Sequence, residues 1–205
     1  GALTGVLVDR LGADAVSACD PSEPFVADCM DRYPGVIVRV APAEAIPFDD
    51  DSFDLALAQL VVHFVSDPDR AAAELCRVVR PGGLVGACVW DRDDGMEMLS
   101  RFWDAVMAVD PNAAVNERGL RFGGAGELVD LFETAGLTDV TESMLRVTST
   151  YRNADELWAG FLAGVGPAGT YCVSLSDDAR SKVKHELFDR LGSPTGPVTL
   201  SGAAR

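Results

Sequence analysis

The feature that most constrains this chain is an alternation: short apolar runs with strand character, separated by segments of helical periodicity. Residues 2–11, ALTGVLVDRL, set Leu3, Leu7 and Leu11 four apart on one face of a helix that Gly12 can stop. Ala15 to Cys19 is a short apolar run closed by Asp20-Pro21, which reads as a buried strand. Ser22 can cap a second helix reaching about Tyr33, where Pro34-Gly35 breaks it. Val36 to Val40 is β-branched, a second strand. Pro42 to Asp51 is a loop with an acidic run, and Phe53 to Leu60 is a third strand. Asp67 caps a further helix with Pro68 in its first position. Ala71, Leu75, Val78 and Val79 give that helix an apolar face, and Arg77 and Arg80 fall in its last turn, where the dipole favours cations. Pro81-Gly82-Gly83 ends it, and Leu84 to Trp90 is a fourth strand.

Alternation of this kind requires parallel pairing through crossover helices. Strands that are apolar throughout require helices on both faces of the sheet. The expected fold is therefore α/β, a doubly wound, Rossmann-like, mostly parallel sheet, with an antiparallel strand near the C-terminus. Beyond Asp91 the rhythm loosens. Helices are expected over 95–109, 127–134, 154–162 and 176–191, strands over 140–150 and 198–203, and a flexible connection or lid over 160–169. The chain reads as a single domain, with a cofactor-binding half at 1–91 and a substrate-shaping half at 92–205. In a doubly wound sheet the first strand feeds a glycine turn that feeds the first helix. A helix at residue 2 behind a lone Gly1 thus carries the expectation that a central strand and most of the glycine turn belong before Gly1, and that the chain is N-terminally incomplete.

Two residues stand where an adenosine cofactor makes its demands. A glycine turn lets backbone approach a ligand closely, and an acid at the end of the second strand accepts hydrogen bonds from ribose hydroxyls. Gly1 and Asp20 occur in that order around a helix, 19 residues apart, near the spacing of about 20 that such a site uses. Gly1 and Gly5 lie four apart, whereas the end of the dinucleotide fingerprint has glycines three apart, and no Tyr-Lys pair is evident. A nicotinamide-dependent oxidoreductase is accordingly the weaker reading.

GALTGVLVDRL followed by VSACDPS resembles the stretch after the glycine motif of class I S-adenosylmethionine-dependent methyltransferases. APAEAIPFDDDSFDLALAQLVVHF resembles the adenine loop, acidic turn and fourth strand of that family, and RVVRPGGLVGACVWD the helix end and fifth strand that follow. Within the class the resemblance is to the ubiquinone/menaquinone-methyltransferase-like (type 11) group, which acts mostly on small molecules. It covers residues 1–91 and is loose from 92 to 205.

The resemblance implies S-adenosylmethionine as cofactor and a role for each matching position. Gly1 would be the last glycine of the cofactor loop, Asp20 would hold the ribose hydroxyls, and Pro21 and Ser22 would flank the adenine. Ala43 and Glu44 match the loop that frames the adenine ring; Pro42 stands where the family often has an Asp that bonds the adenine amine. Ala58 and Gln59 match residues that approach the methionine part of the cofactor. His63 matches a histidine common after the fourth strand, and is the tentative catalytic residue. Its apolar neighbours, Val61-Val62 and Phe64-Val65, equally suit a packed structural histidine. The function this implies is methyl transfer to a small-molecule acceptor by in-line displacement. The alternative is a non-catalytic cofactor-binding or regulatory protein on the same fold.

Composition narrows the partners. The formal net charge of −15 disfavours nucleic acid, whose phosphates need a basic surface. No apolar run approaches the roughly 18 residues that a membrane span needs. The five cysteines match no metal template, and Cys19 and Cys88 sit in apolar runs as small core residues. Reduced thiols suit the cytoplasm. Asp49-Asp50-Asp51, without a nearby histidine, reads as a solvated turn, not a metal site. Trp90-Asp91, Trp103 and Trp158 suit either a pocket lining or core packing, and His185 lies in a charged helical stretch expected at the surface.

Overall fold

The fold is that of a computed structural model, which describes residues 1–113 and 121–205. Part of the substrate-shaping stretch, residues 114–120, lies outside the described residues. The chain divides into two compact units, Gly1–Val89 with Ala125–Glu142, and Trp90–Gly124 with Ser143–Arg205.

In the first unit the predicted alternation is observed. Helix α1 spans Ala2–Leu11 and ends at Gly12, whose φ of 86° lies in the region that only glycine enters freely. Strand β1 is Ser17–Asp20, α2 Glu23–Arg32 and β2 Ile37–Val40. β1 and β2 pair in parallel, in the register Ser17↔Ile37 to Asp20↔Val40. Strand β3 is Phe53–Gln59 and helix α3 is Pro68–Val78. Asp67 caps α3 as expected, its side chain accepting from the Arg70 N–H. Strand β4, Val79–Cys88, pairs with β3 in parallel. The described residues therefore hold two separate parallel pairs, β1-β2 and β3-β4.

One boundary differs from the sequence reading. α3 stops at Val78, and Arg80-Pro81-Gly82-Gly83 runs as an irregular start to β4, with the register jumping from Phe53↔Val79 to Leu55↔Leu84. Arg80 is thus outside the last helical turn and pairs with Asp54 on β3. A Cβ on Gly83 would stand 2.5 Å from Val79 Cγ1 and 2.8 Å from the Asp54 carbonyl oxygen, so the close approach of the two strands requires glycine here. Helix α5, Glu127–Thr134, returns to this unit and packs against α3.

The second unit is helical with one antiparallel pair. Its helices are α4 (Glu97–Val109), α6 (Ala154–Leu162), α7 (Gly166–Ser174) and α8 (Asp177–Arg190). Strands β5 (Leu145–Tyr151) and β6 (Val198–Ala204) pair antiparallel, in keeping with the expected C-terminal antiparallel strand. The glycine-rich stretch at 160–169, expected as a connection or lid, instead leads through Gly164 and Gly166, both with positive φ, into α7. Local glycine content argued for a break; burial of Ala168 and Cys172 in the helical core overrides it. The tryptophans resolve toward packing, because Trp103 and Trp158 are buried in a cluster with Phe102, Phe161 and Leu187. Phe102 stacks on Phe161 with ring centroids 4.3 Å apart.

Asp91 is buried, and its carboxylate accepts from the Asp93 and Asp94 N–H groups at 3.0 and 2.6 Å and from Arg205 Nε at 2.6 Å. Burial pushes its pKa up, but these bonds outweigh it and hold the group below the usual carboxylate range. All five cysteines are free; Cys29 and Cys172 are buried, while Cys19 and Cys88, expected in the core, are half-buried. His185 is on the surface, 3.4 Å from Asp189. Among the described residues no helix is long and apolar enough to cross a membrane.

Candidate functional site

The candidate residues of the first unit gather at the carboxyl ends of its parallel strands, where ligands of open α/β sheets bind. Asp20 ends β1 and forms the last rung with Val40, the end of β2. Gln59 ends β3 and forms the last rung with Cys88, the end of β4. Parallel pairing alone puts these four ends on one edge within each pair, because parallel strands share one direction.

Around Asp20 the geometry is tight. Oδ1 accepts from the Ser22 N–H at 2.8 Å, which folds the carboxylate over the entry to α2. Ser22 stands at the N-cap of α2, yet its side chain makes no capping bond. Oδ2 makes no hydrogen bond to a described residue, so one oxygen of a half-buried acid is available to ligand hydroxyls. Gly1 is the N-cap of α1, and its nitrogen lies 3.9 Å from Cys29 Sγ on α2. A Cβ on Gly1 would meet nothing closer than Thr4 Oγ1 at 3.8 Å. Pro21 is exposed beside them. The backbone at Gly1 and the acid at Asp20 thus fit the sugar and backbone-approach demands of an adenosine cofactor.

The next loop is tied to Asp20 through the backbone, since the Ala41 N–H donates to the Asp20 carbonyl at 3.1 Å. It continues through Pro42 into a 3-10 turn, Ala43–Ala45. Glu44 is committed locally: Oε1 accepts from the Ser66 and Asp67 N–H groups at 2.8 and 3.2 Å, and its carbonyl accepts from Arg70 Nε at 3.1 Å. Bonds from its own N–H and from those of Asp67 and Ser66 hold its carboxyl below the usual range. Its side chain therefore fastens the Ala43–Ala45 turn to the entry of α3.

Glu74, which carries no sequence signal of its own, and Arg77, expected only as a helix-end cation, fix this loop from the other side. Glu74 Oε2 accepts from the Ile46 N–H at 2.8 Å. Arg77 donates to the carbonyls of Ile46 and Phe48, each at 2.9 Å, to Glu74, and to Asp50 at 2.6 Å. Part of the acidic turn Asp49-Asp50-Asp51 thus closes on Arg77. Glu and Arg at i, i+3 on α3 were visible in the sequence, but the carbonyls that they hold were not.

In the last positions of β3, Ala58 is half-buried and Gln59 exposed. Leu60 has φ 58°, a left-handed conformation uncommon outside glycine, and its N–H donates to the Cys88 carbonyl at 2.8 Å. This strained residue turns the chain sharply at the strand end, and strain of this kind clusters at functional sites. A 3-10 turn, Val62–Phe64, follows. There His63 is 6% exposed, and neither ring nitrogen has a hydrogen-bond partner among the described residues. Its ring meets Phe64 edge-on at 4.1 Å, and burial pushes its pKa down. Glu44, through Ser66 and Asp67, ties the stretch just after His63 back to the Ala43–Ala45 turn.

Residues 1–86 match the sequence profile of the family described as a methyltransferase domain. An uncharacterized methyltransferase of Mycobacterium tuberculosis is 41% identical over 97 residues, 46% of this chain and 39% of that protein. The malonyl-[acyl-carrier protein] O-methyltransferase of Salmonella typhimurium is 44% identical over 91 residues, 44% of this chain and 36% of that protein. A tRNA (carboxymethyluridine(34)-5-O)-methyltransferase of Arabidopsis thaliana is 33% identical over 112 residues, 50% of this chain and 27% of that protein. The chain therefore spans about two fifths or less of the length of the curated relatives it matches. Among solved structures, the [4+2]-cyclase SpnF superposes with a TM-score of 0.53 at 21% identity, covering 98% of this chain and 70% of that one, a likeness of fold alone. The likeness to the methyltransferase-domain family is therefore one of residues 1–86, which are similar to S-adenosylmethionine-dependent methyltransferases.

Proposed function

We propose that this protein transfers a methyl group from S-adenosylmethionine to a small-molecule acceptor by in-line displacement. The observation that carries the reading is Asp20: a half-buried acid at the end of β1, with one oxygen folded onto the Ser22 N–H and the other without a partner among the described residues. Bound there, the cofactor supplies a sulfonium methyl that is already activated. What remains for the protein is to hold and orient, and good orientation of reactants contributes on the order of 7–11 kcal/mol to such a reaction. Asp20 holds the ribose, with Pro21 and Ser22 beside the adenine. Ala43 and the backbone of Glu44, fixed by Ser66, Asp67 and Arg70, frame the ring from the next loop. Ala58 and Gln59, at the end of β3, face the methionine part. His63, two positions beyond Val61, is the residue placed to meet the acceptor.

The small-molecule assignment is supported by charge. A net charge of −15 opposes a polyanionic acceptor such as the tRNA named for one relative. Five free thiols suit a reducing compartment such as the cytoplasm. A second reading is a protein that binds the cofactor without transferring its methyl group. A fold neighbour named as a [4+2]-cyclase favours it, because fold does not fix reaction.

Calorimetric titration with S-adenosylmethionine and S-adenosylhomocysteine separates these readings. Micromolar binding is expected, weakened in Asp20→Ala by about 1–3 kcal/mol, the loss typical of a removed buried hydrogen-bond acceptor. No binding by the unaltered chain overturns both readings. Binding without turnover on any acceptor leaves the second.

A further inference from the structure

The antiparallel pair of the second unit ends in an open edge. Strand β6 has neighbours on both sides: β5 along one, and Trp90 and Met96, which bridge to Ala204 and Gly202, along the other. Among the described residues β5 pairs with β6 alone. Its outer edge therefore points the N–H and C=O groups of every second residue away from the sheet. Leu145 to Thr150 are all exposed, which leaves that edge open.

Edge strands of native proteins are commonly guarded by proline, a bulge, a lysine or very short length. β5 has none of these guards. It runs seven residues, LRVTSTY, and meets β6 rung for rung without a register shift. Tyr151 packs against the helical core, and alternation along the strand puts Leu145, Val147 and Ser149 on the same face of the sheet. Leu145 and Val147 are nonetheless 57% and 55% exposed, because the sheet stops beside them.

What fits an open edge is another extended strand, and charge indicates whose. Residues 143–153 hold no Asp or Glu, in a chain that has 32 acids and a net charge of −15. The two arginines of that stretch are already paired, Arg146 with Asp94 and Arg152 with Glu156. An acidic peptide gains little from cations so engaged, whereas a second copy of this anionic chain meets the least repulsion here.

We propose that two copies of this chain associate through β5, antiparallel about a twofold axis at Thr148, so that their β5-β6 pairs join into one sheet. Thr148 is the midpoint of β5, so this register pairs the whole strand with its copy. It sets Leu145 opposite the partner's Tyr151, Arg146 opposite the partner's Thr150 and Val147 opposite the partner's Ser149. The Leu–Tyr pairs join aliphatic to aromatic side chains, and no charge meets its like. Moving the axis to Ser149 would bring Arg146 opposite the partner's Arg152 and shorten the ladder. A contact one strand wide is smaller than the roughly 1,200–2,000 Å² of a stable interface, so the association is reversible and depends on concentration.

Analytical ultracentrifugation of the full chain over a concentration series tests this, with a reversible monomer–dimer equilibrium as the expected result. Thr148→Lys and Thr148→Glu, at an exposed position, each set like charges face to face at the axis. Each is expected to weaken the dimer about fivefold or more. Mixing the two variants in equal amounts is expected to restore it, since opposite charges then face each other, and that recovery also shows both variants to be folded. A monomer at every concentration overturns the proposal. A dimer that neither variant weakens overturns the β5 contact, and a loss that mixing does not repair overturns the twofold pairing at Thr148.

Discussion

The two units of this protein bury their apolar residues to very different degrees. In the second, Phe102, Leu157 and Leu187 are at most 1% exposed, and Trp103 and Trp158 join them in one aromatic and aliphatic cluster. In the first, the strands keep much of their apolar surface open: Ile37, Val40, Leu55, Leu57 and Leu84 are all exposed, Leu84 by 69%. The physical reason is the sheet. Two parallel strands have two faces and two outer edges to cover, and a pair alone covers little of them. Helices packed as α4 is on α8 close their apolar stripes on each other directly. The comparison teaches that the candidate site and the densest packing lie in different units. The family match covers residues 1–86, and the well-filled core lies outside that stretch.

Truncations should expose the contrast most sharply. Phe102→Ala is expected to destabilise the second unit by about 3–5 kcal/mol, through lost burial and the cavity left behind. Leu84→Ala in the first unit should stay within about 0.5 kcal/mol, as exposed sites do. Chemical denaturation of both variants decides the matter, and equal losses would break the comparison.

Where the first unit does depend on close fit, the dependence is on backbone. Gly83→Ala forces a Cβ against Val79 and the Asp54 carbonyl, and about 1–3 kcal/mol of destabilisation is expected from that overpacking. Thermal melts should show it as a lowered midpoint, with Gly82→Ala as a useful contrast: its φ of 79° strains any side chain although no atom crowds the site. Removing the α3 cap with Asp67→Ala should cost about 0.5–2 kcal/mol. Because Glu44 also bonds the Asp67 N–H, the loss should remain local to α3 and the Ala43–Ala45 turn. Hydrogen exchange at Arg70 reads it directly.

The smallest effects are those of pH, and they fall in separate windows for the two units. The His63 pKa is lowered on folding, so the unfolded chain binds the proton first; stability should decline as pH falls below about 6.5, the usual histidine value. The Asp91 pKa is also lowered, and its contribution, complete above about 3.9, should be lost only as pH falls through its lower folded value. Denaturation midpoints measured from pH 8 to 3 should show a first slope that His63→Gln removes. The second slope should be the one that Asp91→Asn reduces.

Much of the fold was legible because it rests on local signals. The α3 start at Asp67-Pro68, the α1 stop at Gly12 and the span of α5 follow from caps, glycines and period, and the structure places them as read. Misreadings came where tertiary contacts override local preference. Arg80 left its helix because Val79 pairs with Phe53 of β3 and Arg80 itself with Asp54, and the glycines before α7 did not prevent a helix whose far side is buried. At the candidate site, residue types and order were readable, with Asp20 lying 19 residues after Gly1. Their states were not. That Glu44 gives its carboxylate to Ser66 and Asp67 depends on a partner 22 residues away, and the clamp of Arg77 on Phe48 spans 29.

The sequence by itself determined the alternation of strands and helices, the identity of the acid at the end of β1 and the likeness of residues 1–86 to a methyltransferase domain, because caps, periodicity and motif spacing are properties of neighbouring residues. Only the tertiary structure decided that, among the described residues, one oxygen of Asp20 and both ring nitrogens of the buried His63 meet no partner, and that Leu60 is turned left-handed. Hydrogen-bond satisfaction and burial are set by chain segments far apart in sequence, and no local pattern encodes which of them will meet.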